Sequence, residues 1–236
     1  MIFKLIFVCL FIIIGKQIYE IHNFNHDSIL KQLQNANQSE ISQKLKERNP
    51  LIIHNISSQN NSFQNINLSQ LIHDNPGYII LHQNKNISLS SFNDKDIQQM
   101  NIYKNSQLIS DFQLNSLFDH LYFPFQSSIH CNKNYFLSLF KGLNAITCTQ
   151  NKHNLLIFHQ IQGNSTFYIV NPKHHDDIIH KENSEIKKWG QKINLVQGLV
   201  LYIPIEWYYF FETDNESILG TIESDNYFTV IYNSLR

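Results

Sequence analysis

The stretch QGLVLYIPIEWYYFFET, residues 197–213, decides how this chain is read. An apolar run behind Gly198 enters Pro204, the chain turns over Glu206, and five aromatic side chains in succession, 207–211, leave the turn. Proline cannot donate to a strand ladder, so one strand ends there and a second begins after the turn. Aromatic residues suit a half-buried sheet. The unit is therefore strand, turn, strand, with heavy apolar bulk on the second arm.

The same texture reaches back to Tyr135. "YFLSLF", "AITCTQ", "LLIFHQI" and "TFYIVNP" precede a polar insert, "HHDDIIHKENSEIKKWGQK", which reads as helical; "INLV", the opening unit, "SILGTI" and "NYFTVIY" follow it. Eight or nine short strands parted by Gly, Asn and Asp turns predict a mainly β fold, a double-sheet barrel rather than a parallel α/β sheet. Upstream, "DSILKQLQNANQSEISQKLKE" (27–47) predicts two short helices, "RNPLIIHNI" (48–56) a strand, and 57–65 a loop. "NLSQLIHDNPG" (67–77) predicts a helix closed by Asn75, Pro76 and Gly77, "YIILHQ" (78–83) a strand, and 96–122 helix. Segments 22–130 would cover a β core at 131–236 in a single domain, since 236 residues with 42% hydrophobic content can build one sizeable core.

Charge excludes one class of partner. With 18 basic and 19 acidic residues the chain carries a formal charge of -1, so no overall field gathers a phosphate backbone, and nucleic acid is not an expected partner. Of the three cysteines, Cys9 lies in an apolar leader, which leaves Cys131 and Cys148 as either one disulfide or two free thiols.

That leader, residues 1–21, sets Lys4 before an apolar run over 5–15 and Lys16 after it. The run has the length of a signal-peptide core and is short of the ~20 residues of a membrane-spanning helix. Ile13, three residues before a cut after Gly15, is not small, and apolar residues resume at Ile18, Tyr19 and Ile21. A cleaved signal peptide and a retained N-terminal anchor both stand. Either implies a membrane-associated or secretory-lumen location, with a mitochondrial membrane as the alternative. Seven N-x-S/T triplets begin at Asn37, Asn55, Asn60, Asn67, Asn86, Asn164 and Asn215 and would accept N-glycans in a lumen.

"NKHNLLIFHQIQGNSTFYIVNP" (151–172), followed by the opening stretch, resembles the JmjC or cupin-like hydroxylases of the 2-oxoglutarate oxygenase superfamily. Gln160, Gly163, Phe167 and Pro172 carry the first half of the likeness, and Gly198, Leu201, Tyr202, Ile203, Pro204 and Trp207 the second. "KERNPLIIHNI" is similar to an early segment of the family, and the short chain with its leader is similar to the small lumenal JmjC-domain proteins. The resemblance implies a double-stranded β-helix (a cupin or jelly-roll fold) with N-terminal helices as cover. Family members bind iron(II) through an H-x-D or H-x-E pair and a late His, and 2-oxoglutarate through a lysine.

Carried over position by position, those residues are missing. The late His falls on Tyr209, and the lysine on Ser165. The first ligand falls on Cys148, Gln150 or Asn151, the second on Gln150, Lys152 or His153, and the family's acidic residue after glycine on Leu199. A phenol with a pKa of about 10 is a poor iron(II) ligand, and a serine cannot neutralise a carboxylate. The expectation is a domain with no metal, no cofactor and no catalytic residue, in which Gly163, Pro172, Pro204 and Trp207 serve structure. It would act as a structural or protein-interaction component, with protein partners in a membrane-associated or lumenal assembly. The rival is an iron(II) and 2-oxoglutarate-dependent protein hydroxylase with non-standard ligands; a third reading is a glycan- or small-molecule-binding barrel with an open polar mouth.

Other polar groups read as structural. Cys148, His153 and His159 have the order C-x4-H-x5-H, which is not a compact zinc spacing. His174, His175, Asp176 and Asp177 are adjacent and point in different directions, as on a solvated helix start. Cys131, Cys148 and His153 lack an orienting third group for a thiol site.

Overall fold

The computed structural model describes residues 30–56, 66–82, 85–126 and 130–234, with Phe63 and positions 8, 11, 12, 15, 16 and 19 of the leader. The fold is mainly β. Its first half supplies β1 (Lys31–Gln34), helix α1 (Gln38–Lys46), β2 (Leu51–His54), α2 (Leu68–Asp74), β3 (Ile79–His82), β4 (Lys85–Ser88), β5 (Met100–Asn105), α3 (Gln107–Asp111) and α4 (Asn115–Tyr122). The second half runs β6 (His130–Lys141), β7 (Asn144–Gln150), β8 (Leu155–Gln162), β9 (Asn164–Val170), α5 (His175–Ile178), α6 (Asn183–Ile186), β10 (Gly190–Val196), β11 (Val200–Ile203), β12 (Tyr208–Thr213), β13 (Ser217–Asn226) and α7 (Tyr227–Ser234).

Two large sheets result. One has the order β1-β2-β11-β8-β13-β6-β5 and the other β10-β9-β12-β7, so that strands from β6 onward alternate between sheets except for β9 and β10, which pair antiparallel across the helical insert. They pack face to face over Phe140, Phe158, Phe167, Phe211, Tyr209 and Trp207, and no strand is shared between them to close a barrel. The outer face of the larger sheet meets the N-terminal cover through residues such as Ile157, Ile161, Ile218, Ile222 and Phe118. Period-2 alternation assigns these faces: on β8, Leu156 and Phe158 point between the sheets, while Ile157 and Ile161 point to the cover. The cover sits tightly, because a Cβ at Gly220 would lie 2.9 Å from the Phe118 ring.

Three expected elements differ. Residues 31–34 form an edge strand parallel to β2 rather than a helix; pairing with "LIIH" outweighs a weak helical pattern. Within 96–122, Met100–Asn105 is a strand, because its apolar residues are sorted between two cores, Ile102 to one and Tyr103 to the other. "NYFTVIY" ends as helix, with Asn226 Oδ1 accepting from the Thr229 amide at 2.8 Å and one face, Thr229 and Tyr232, buried. Residues 27–29 and most of 57–65 lie outside the described residues. Among the described residues no helix is long and apolar enough to cross a membrane.

Candidate functional site

The space between the sheets has an aromatic middle and a charged end. The charged end is built by inward positions of β13, by the segment before β8, and by a bulge in β5. On β13, Leu219 faces the intersheet core, and the strand period carries Glu223 and Asp225 to the same side. Ser224, between them, faces the cover and hydrogen-bonds with the Tyr122 hydroxyl.

The bulge supplies the cation. The β5–β6 register shifts between Ile102 and Asn105, and Lys104 takes φ 50°, a left-handed conformation uncommon outside Gly, Asn and Asp. Its amide donates to Ser138 Oγ at 2.9 Å. Regular alternation would send Lys104 away from Tyr103; the bulge aims both inward. Lys104 Nζ then donates to Glu223 Oε1 at 2.5 Å and to the Tyr209 hydroxyl at 3.3 Å.

His153 closes the chain of charges. Its Nε2 lies 3.2 Å from Glu223 Oε2 and its Nδ1 2.8 Å from Asp225 Oδ2, while the Asn154 amide donates to the other oxygen of Asp225 at 3.1 Å. Burial works against a charged imidazole, but its bonds to Asp225 and Glu223 prevail and lift its pKa to about 9. Burial likewise works against ionised Glu223, yet the bond from His153 and the charge of Lys104 hold its pKa down to about 2. Burial opposes the Lys104 charge too, and Tyr209 and Glu223 outweigh it, so its pKa rises. The order Lys104⁺, Glu223⁻, His153⁺, Asp225⁻ alternates and cancels. Neither imidazole nitrogen is left as a base.

Tyr209 stands where this network meets the rings. It is 2% exposed, with Phe158 at 5.3 Å, and Tyr103 meets its hydroxyl from β5. Phe167 and Phe211 stack at 4.6 Å beneath it, and Phe158 lies 5.0 Å from Phe167. Burial raises the Tyr103 pKa, with Tyr209 next in effect, so the phenol stays protonated.

The other sequence-derived positions scatter. Cys148 leaves the intersheet core after the β7–β12 bulge between Tyr209 and Phe211, and packs on the outer face beside Phe210 and Ile178. Burial pushes its thiol up to about 11. Gln150 donates to Glu206 Oε2 at 2.8 Å. Asn151 is a clasp: its Nδ2 donates to the Ile203 and His153 carbonyls, and its Oδ1 accepts from the His153 amide. Its own amide donates to the Trp207 carbonyl and its carbonyl accepts from the Glu206 amide. Ser165 is buried on the intersheet side of β9, and its hydroxyl has no hydrogen-bond partner among the described residues.

His159 points the opposite way from His153, into the cover against Phe63 at 4.6 Å, and burial lowers its pKa to about 4. Cys148, His153 and His159 thus occupy three different faces. His174 pairs with Asp177 at 3.1 Å near the surface, and His175 hydrogen-bonds with the Tyr208 hydroxyl. Cys131 and Cys148 are free thiols. Among the described residues no group of three His, Cys, Asp or Glu side chains is arranged to hold a metal.

The structural positions do what their chemistry requires. Gly163 turns β8 into β9 at φ 73°, where a Cβ would meet the Glu216 carbonyl oxygen at 2.4 Å. Pro172, itself buried, begins a 3₁₀ turn. Pro204 ends β11, Glu206 follows at φ 72°, and Trp207 enters the core at 4% exposure.

An iron(II) and 2-oxoglutarate site does not fit this residue set. The hydroxyl of Tyr209 is held by Lys104, Ser165 offers no charge, and both ring nitrogens of His153 are taken up by carboxylates. Lys104, Glu223 and Asp225 are absent from the sequence-derived set. Their signal was weak: two carboxylates two residues apart mimic a solvated strand face. In comparison with known proteins, no family model matches the chain and no curated protein matches it significantly.

Proposed function

We propose that the chain is a double-stranded β-helix of the cupin or JmjC type that has given up its chemistry and works as a structural or protein-interaction component of a membrane-associated or lumenal assembly. Support for the fold type comes from strand order: β11-β8-β13-β6 in one sheet, β10-β9-β12-β7 in the other, and alternation of successive strands between them. Support for the lost chemistry rests on one observation. The late ligand position, Tyr209, is buried among rings, and beside it Lys104, Glu223, His153 and Asp225 neutralise one another. Such a network orders a core and offers no unshared base or ligand.

The test is elemental and kinetic. Protein purified without chelator, then supplied anaerobically with iron(II) and 2-oxoglutarate before exposure to oxygen, is expected to hold well under one metal per chain and to release no succinate above background. Stoichiometric iron with 2-oxoglutarate-dependent succinate release overturns the assignment.

A further inference from the structure

The strand registers bring the start of β1 and the end of β13 to one end of the molecule. Lys31 at the start of β1 lies beside Leu51 at the start of β2, and Leu51 lies beside Tyr202 near the end of β11. Ile203 then pairs with Leu156 near the start of β8, and Leu155 with Ser224 near the end of β13. The described chain therefore enters the larger sheet, at Lys31, at the same end from which α7 emerges. Four strand spacings of about 4.8 Å separate the two, roughly 20 Å.

The helix α7 is amphipathic in an inverted sense. Its polar Thr229 and its Tyr232 face the protein, Tyr232 against Ile205, and Asn233 anchors it to the Lys152 carbonyl at 2.8 Å. Outward it exposes Tyr227 at 62%, Val230 at 46% and Ile231 at 40%. These are positions i, i+3 and i+4, one continuous apolar face. No acidic or basic residue lies in its first or last turn. Among the described leader positions, the apolar Val8, Phe11, Ile12 and Tyr19 are helical and exposed as well.

Charge at this end selects the occupant. Lys31 starts β1 there, Lys152 lies in the loop before β8, and Lys46 and Arg48 line a cleft with Tyr202 and Ile205. Two carboxylates at the same end are paired with cations, Glu47 with Lys44 at 2.6 Å and Asp225 with His153, and a third, Glu206, is buried and bonded by Gln150. An apolar face with an aromatic residue, on an end of the molecule that carries cations, has the chemistry of a bilayer interface with anionic headgroups.

We propose that this end of the larger sheet rests on an anionic lipid bilayer, with α7 inserting Tyr227, Val230 and Ile231 at the interface. The proposal rests on the leader being a retained anchor, so the experiment separates the two. The full chain, as wild type, Val230→Trp and Leu143→Trp, is reconstituted into phosphatidylcholine–phosphatidylserine vesicles with plain or brominated acyl chains. Leu143 is 68% exposed in the β6–β7 turn, at the opposite end of β6 from His130, which pairs with Asn226. Wild type fixes the background from Trp189 and Trp207. The expected result is loss of the added Val230→Trp emission in brominated vesicles and none for Leu143→Trp. Flotation with the vesicles but equal emission in both lipids overturns the α7 proposal and leaves the anchor standing, as does shielding that appears only with a second copy or a protein partner. Failure to float with vesicles removes the anchor and the proposal together.

Discussion

Replacing His153 by Gln tests the charged network through its dependence on pH. In the folded protein the imidazole has a pKa of about 9 against an ordinary value of 6.5. A histidine raised on folding stabilises fully below its unfolded pKa, and the stabilisation is lost as pH climbs through the folded one. At about 1.4 kcal/mol per factor of ten, the full effect is about 3 kcal/mol. With the side chain 31% exposed, solvent screening reduces it to roughly 1–3 kcal/mol. Glu223 is the other half of the same interaction and is not added again. His159 acts in the opposite sense: its pKa of about 4 makes stability complete above 6.5 and progressively lost toward pH 4. Wild-type stability, read from urea unfolding between pH 5 and 9.5, should therefore peak near 6.5 and fall on both sides. His153→Gln should flatten the alkaline arm, costing roughly 1–3 kcal/mol near pH 6.5 and little at 9.5, while the acid arm persists. Curves offset by a constant amount at every pH would refute the network as drawn, as would wild-type stability rising from pH 6.5 to 9.

Two further outcomes check the fold around the site. Trp207→Ala should destabilise by roughly 3–5 kcal/mol in the same assay, because the ring is 4% exposed and its removal leaves a cavity; an unchanged denaturation midpoint would remove the ring from the core. Gly163→Ala and Gly198→Ala both meet positive φ, but only at 163 would the Cβ strike backbone, the Glu216 carbonyl at 2.4 Å, whereas nothing lies within 4 Å at 198. Gly198→Ala should therefore cost about 1–2 kcal/mol and Gly163→Ala clearly more, and equal melting shifts would contradict the turn geometry.

The late strands were legible in the sequence because proline, glycine and aromatic bulk act locally there: Gly163, Pro204 and Trp207 constrain the backbone or demand burial wherever they stand. Tyr209 was legible as an inward ring by its place after the turn. The charged end was not. Lys104 points inward only because a bulge breaks the alternation of β5, and its pairing with Glu223 spans 119 residues. Glu223 and Asp225 flank Ser224, a pattern that on a sheet with one wet face would put the carboxylates in water. Here both faces of β13 are covered, so the usual inference from polarity to exposure fails. Residues 31–34 and α7 were misread for a related reason: a partner strand and a capping Asn226, not intrinsic preference, decide their conformation.

The Asn151 clasp has a consequence for motion. Its five hydrogen bonds join the turn that precedes Trp207 to the segment that carries His153. Fluctuations of the backbone there couple the ring to the ion pair, because displacing Asn151 strips its own amide and that of Glu206 of their acceptors and frees the backbone of His153 in the same movement. The aromatic middle and the charged end form one cooperative unit of opening, whose amide protons exchange with solvent together.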